Sequence, residues 1–153
     1  MKKNQPGFSL IELIFAGAIF TVFATGVVGV LLFGLDMDRL SEETFLATEY
    51  AKQGEESVRF MGANNFDEVT LTSATGIEDT NGSLSFVGTE NVNEKYTRVI
   101  AVEEVKRDAS GSIDENNGTI DPDTKKIRTT VFFHVAPSRS NSVVLETYLT
   151  RFK

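Results

Sequence analysis

The stretch from Phe8 to Leu35, FSLIELIFAGAIFTVFATGVVGVLLFGL, holds one ionisable residue, Glu12, in about 28 positions. A helix needs roughly 20 apolar residues to cross a bilayer, so this run predicts a transmembrane segment. Lys2 and Lys3 precede it, whereas Asp36, Asp38 and Arg39 follow it. The flanking positive charge places the N-terminus in the cytoplasm and the C-terminal part outside. Only the remainder of a 153-residue chain is then left to build a folded domain, which bounds it to one small core.

Composition excludes several functions. The net charge of -7 argues against a globally nucleic-acid-binding surface. The absence of cysteine removes disulfides, thiolate nucleophiles and thiolate metal sites together. No G-x-S-x-G, P-loop or H-E-x-x-H pattern occurs, so the expectation is a protein that is not an enzyme and holds no cofactor. His134, the one histidine, cannot build a multi-histidine metal site and is expected on a strand surface. The acidic run between Lys106 and Lys126 offers hard oxygen ligands, with Asp114, Asp121 and Asp123 as weak calcium candidates. Its spacing does not meet the EF-hand pattern, and a solvated hairpin loop is the expected form.

The order of segments at the N-terminus is unusual. A secretory signal puts its apolar region before the cut. Here a short basic stretch, MKKNQPG, ends in Gly7 and the apolar run follows as FSLIEL. Gly7 has no side chain, so extended backbone there can enter a narrow protease groove, and Pro6 biases Gln5 away from helix. This arrangement resembles the prepilin leader of type IV pilins and type II secretion pseudopilins, in which glycine, phenylalanine and a glutamate five positions after the cut recur. Gly7, Phe8 and Glu12 fit that pattern position for position.

The resemblance implies a set of expectations. Residues 1–7 form a leader removed between Gly7 and Phe8 by prepilin peptidase, a membrane-embedded aspartic protease, and the new amine of Phe8 is N-methylated. Glu12 is costly in a membrane helix. By resemblance it pairs with the Phe8 ammonium of a neighbouring subunit and sets the axial register of a filament; the alternative is that it snorkels or pairs within its own chain. Membrane lipid surrounds the helix before assembly. The implied partners are other pilins or pseudopilins, an assembly platform protein and, through it, an ATPase. The implied location is a single-pass inner-membrane protein, and after assembly a surface or periplasmic filament. Gly26 and Gly29, among β-branched Thr25, Val27 and Val28, would let the helix stretch locally; the alternative for these and for Gly17 and Gly34 is close packing between helices.

The helical period continues past Leu35. Phe33, Met37, Leu40, Thr44, Ala47, Ala51, Gly54, Val58 and Met61 form one stripe, with Glu42, Glu43, Glu49, Glu55 and Arg59 opposite. A helix from Phe8 to about Met61 would span roughly 80 Å, and its second half requires a sheet to cover it. Phe66 to Thr72 reads as a connection or short strand, Ile77 to Gly82 as a polar turn, and Ser83 to Val87 as a weak strand. Stronger strands are predicted over 96–105, 127–135 and 143–150. Alternation places Ile127, Val131, Phe133 and Val135 on one face, as it does Val143, Leu145 and Leu149. In the first strand either Ile100 and Val102, or Val99, Ala101 and Val105, face inward. Pro137 to Asn141 should link the last two strands tightly.

The expected fold is α+β and pilin-like: one long N-terminal helix packed on a three- to four-stranded antiparallel sheet. The expected divisions are a leader (1–7), a transmembrane or filament-core helix (8–35), its amphipathic continuation (36–62) and an extracytoplasmic β domain (63–153). The last third is similar to minor pilins and pseudopilins of the PilV or type II secretion I-type group, without the C-terminal cysteine pair of many pilins. The resemblance implies a structural filament subunit; the other reading is an anchored binding module that never enters a filament.

Overall fold

The computed structural model describes residue 7, residues 9–136 and residues 139–151. Phe8 and residues 1–6, and with them most of the expected leader, lie outside the described residues, as do Pro137 and Ser138 of the expected tight link. The chain forms two compact units, one ending at Leu40 and the other starting at Ser41. A single helix, α1 (Leu10–Asn64), contributes residues to both.

In the first unit α1 is unbroken and its apolar side chains are exposed. Leu10 is 78% exposed, Phe20 70% and Phe23 68%. A continuous apolar surface of this kind is not stable in water and calls for lipid or protein to cover it. Helical geometry persists through Gly26 and Gly29, and a Cβ added at Gly17, Gly26, Gly29 or Gly34 would meet nothing within 4 Å. The hydroxyls of Thr21 and Thr25 donate to the carbonyls of Gly17 and Thr21, both at 2.8 Å. Hydroxyls satisfied within their own helix carry little penalty in an apolar medium.

In the second unit the remainder of α1 packs on a six-stranded antiparallel sheet, more strands than the three or four expected. The strands are β1 (Thr72–Thr80), β2 (Ser83–Val87), β3 (Asn91–Asn93), β4 (Tyr96–Arg107), β5 (Thr119–Ala136) and β6 (Arg139–Thr150). Their order is β2-β1-β4-β5-β6, and β3 also pairs with β4. The β1 register reaches β4 at Val102 and Ile100, and the β3 register covers Arg98 to Tyr96, so the two share one edge in tandem. The side-chain amide of Asn91 joins them. It accepts from Ile77 N at 2.7 Å and donates to Ile77 O at 2.9 Å, standing in for a ladder pair where β1 leaves β4.

The predicted stripe of α1 is buried from Ala47 onward: Ala47, Ala51, Gly54, Val58 and Met61 face the sheet, whereas its earlier members Phe33, Met37 and Thr44 are exposed. Small residues at 47, 51 and 54 let helix and sheet approach closely. At Gly54 a Cβ would come within 2.9 Å of Arg98 Cδ and 3.0 Å of Thr129 Cγ2. Ala47 and Ala51 join Tyr96, Val131 and Phe133 in one core cluster. Val58 and Met61 join Phe66, Val69, Ile77, Ile100, Val102, Ile127 and Leu149 in another. Full burial of each large side chain contributes about 1.5–3 kcal/mol, as an upper estimate.

Several expectations are corrected. Ile77 to Thr80 is strand rather than turn; only Asn81 and Gly82 turn, at φ 55° and 84°, the paired positive values of a tight hairpin. Phe66–Glu68 is one 3-10 turn, capped by the Asn65 side chain, which accepts from Asp67 N. β5 starts at Thr119, inside the expected acidic loop, and β6 starts at Arg139. In β4 the open choice resolves through a bulge. Tyr96, Ile100 and Val102 point inward, and a register shift between Glu104 and Val105 turns Val105 inward as well. Pro122 lies in β5 opposite that shift, where it forfeits no bond to β4. Glu43, expected on the outer side of the helix, turns to the sheet, with its side chain 13% exposed.

Candidate functional site

The candidate site begins where α1 begins. Ser9 supplies the carbonyl that accepts from Glu12 N at 3.0 Å and from Leu13 N at 3.2 Å, closing the first turn. Glu12 is therefore an acid in the first turn of α1. It is exposed. Gly7 is exposed too, and among the described residues nothing lies within 4 Å of a Cβ built on it. No contact within the described chain requires glycine there, so any requirement comes from a molecule that handles this segment. Phe8, expected as the new N-terminus and as the methylated residue, lies outside the described residues.

Sequence reasoning missed a polar network between α1 and β3–β4. Glu43 accepts from Lys95 Nζ and from the Tyr96 hydroxyl. The hydrogen bond from Lys95, followed by that from Tyr96, holds the Glu43 carboxyl below the usual range. Burial, reinforced by the Glu43 carboxylate, holds the Tyr96 phenol well above its usual value. The Tyr50 and Tyr96 rings pack with centroids 5.1 Å apart. Arg98 lies across the helix at Gly54. Its Nη1 donates to Tyr50 O at 3.3 Å and Gln53 Oε1 at 3.2 Å, and its Nη2 donates to Asn91 Oδ1 at 3.2 Å. The one legible signal was Gly54, a helix-breaking residue kept within a buried stripe.

The acidic loop commits its carboxylates locally. Asp114 Oδ1 accepts from Asn116 N and Asn117 N, at 3.0 and 3.1 Å. Asp121 Oδ2 accepts from Arg107 Nε at 2.6 Å, and Asp123 Oδ1 lies 3.3 Å from Arg151 Nε. The Arg107 guanidinium, with Thr124 and the Asp123 amide, holds Asp121 down to about 2. Among the described residues, no three His, Cys, Asp or Glu side chains gather as metal ligands. His134 is exposed on β5, as expected.

An apolar helix continuing onto an antiparallel sheet, with a first-turn glutamate, defines an α+β protein consistent with the pilin fold. Residues 2–28 match the family described as the prokaryotic N-terminal methylation motif. The match spans Gly7, Phe8 and Glu12 and does not reach the sheet. It supports a type IV pilin-like protein that is processed by prepilin peptidase, assembles with other pilins and is anchored in a membrane; it suggests a structural role rather than catalysis. Neither a curated protein nor a solved structure matches the chain.

Proposed function

We propose that this chain is a structural, non-catalytic subunit, a minor pilin or pseudopilin, of a type IV pilus or a type II secretion-like filament. The observation that carries the reading is the match of the motif across Gly7 and into the first turns of an exposed apolar helix. A cut after Gly7 removes two lysines and leaves the whole helix on the mature chain, unlike a secretory signal. Residues 8–35 then form a membrane anchor that becomes filament core, residues 36–62 continue the helix, and residues 63–153 lie outside the cytoplasm.

Cleavage between Gly7 and Phe8 creates an amine, which is methylated and stays cationic. Glu12, four residues further along the sequence, is the anionic partner for such an amine on the next subunit, and the pair fixes axial register. Isolated in lipid, that carboxylate costs a few kcal/mol, so an assembled filament offers it a better-paired environment. A platform protein, driven by an ATPase, moves the helix from lipid to the filament, where neighbouring helices replace the lipid contacts.

The test is fractionation of cells that express the chain with its peptidase and assembly machinery. A filament subunit is released with sheared filaments and co-purifies with other pilins. A chain retained entirely in the membrane fraction, with no pilin cross-linked to residues 8–35, would contradict the proposal.

A further inference from the structure

Beside Arg98 there is a hollow of about 220 Å³, walled by Tyr50, Gln53, Asn91, Asn93 and Tyr96. Arg98 has an evident structural use, since it bridges the helix carbonyl of Tyr50 to Asn91 on β3. That use leaves the cation poorly compensated. Its three acceptors are neutral and stand at 3.2–3.3 Å, and its Nε is buried with no acceptor at all. Among the described residues no carboxylate forms an ion pair with it, and burial disfavours its charged form. Glu43, the acid bound to the adjoining Tyr96, is already occupied by Lys95 and the phenol. The Tyr50 hydroxyl accepts from Asn93 Nδ2, which leaves its own proton free to be donated.

We propose that this hollow is a binding site for a carboxylate group, received by Arg98 Nη2, which keeps one hydrogen beyond its bond to Asn91, and by the Tyr50 hydroxyl. Arginine and a phenol converging on one hollow favour an anion with two oxygens in a plane. The tyrosine rings and amide side chains around them suit the short apolar stem of an amino-acid-sized acid. The carboxylate comes either from an acidic side chain of another polypeptide or from a free small acid. The site is independent of the filament reading, because no residue of the apolar segment 8–35 takes part.

The experiment follows the Arg98 Nε–H signal by NMR in the full chain, held in detergent micelles, during titration with two probes. One is acetate; the other is acetyl-Gly-Glu-Gly-amide, with the Gln peptide as its neutral control. A saturable shift with the acid probes, absent with the Gln peptide, is expected. Tyr50→Phe, which keeps the ring contact with Tyr96, should weaken binding about tenfold. Arg98→Gln, followed through the Tyr96 ring signals, should abolish it. Tighter binding of the Glu peptide than of acetate identifies a polypeptide source, and equal binding identifies a free acid; both support the site. No saturable shift, an equal response to the Gln peptide, or unchanged binding in either variant would overturn it. If Arg98→Gln does not fold, Tyr50→Phe decides alone.

Discussion

Gly54→Ala tests the closeness of helix and sheet, because two effects of opposite sign meet there. In a helix interior, alanine is favoured over glycine by about 1 kcal/mol. The added Cβ, however, would stand 2.9 Å from Arg98 Cδ and 3.0 Å from Thr129 Cγ2. Arg98 is pinned by its bonds to Tyr50, Gln53 and Asn91, and Thr129 is a buried, β-branched residue with little rotamer freedom. Overpacking of this kind costs about 1–3 kcal/mol, so the net expectation is a loss of up to about 2 kcal/mol. Thr129→Ala removes the methyl and also a buried hydroxyl that has no partner. In that background only the longer Arg98 chain must move, and Gly54→Ala should become neutral or stabilising. The coupling, about 1 kcal/mol, is read from a double-mutant cycle by denaturant unfolding of the full chain in micelles, followed by tyrosine fluorescence. A gain of about 1 kcal/mol from Gly54→Ala alone, or equal effects in both backgrounds, would refute the close approach.

Asp121 is held down to about 2 against a usual 3.8, chiefly by Arg107. A carboxyl with a depressed folded-state value contributes stability that is fully present above about 4 and is lost as the pH falls through about 2. Asp121→Asn should therefore lower stability at neutral pH and flatten its fall between pH 4 and 2, measured by thermal melts across that window. Gly76→Ala should cost about 3 kcal/mol, since its Cβ would stand 2.8 Å from the carbonyl oxygens of Val87 and Glu90, which are backbone and cannot rotate away. Glu12→Ala should insert into the membrane and be processed normally but be depleted from sheared filaments on immunoblots; wild-type recovery would remove the register role.

Elements with strong local periodicity were legible before the fold was known. The stripe Ala47, Ala51, Gly54, Val58 and Met61 and the inward set Ile127, Val131 and Phe133 needed only a count of spacing, because one face of each is buried. What escaped depended on partners distant in sequence. Asn91–Asn93 has no strand-like composition and is a strand because the Asn91 amide brackets Ile77 and because β4 offers it an edge. Thr119 to Asp121 looks like a loop, yet it continues β5 by pairing with Arg107 to Val105 across the bulge. Glu43 resembles any exposed helix acid until Lys95 and Tyr96 come within reach. At the N-terminus the reverse holds: Gly7 and Glu12 make few contacts in the described chain, and their meaning was readable only as a linear pattern.

The most direct measurement is the mass of the N-terminal peptide after expression with a prepilin peptidase, for the native chain and for Gly7→Trp. The account predicts that the native chain begins at N-methylated Phe8 and that Gly7→Trp retains residues 1–7. An intact N-terminus on the native chain, a cut at another bond, or normal processing of Gly7→Trp would contradict it.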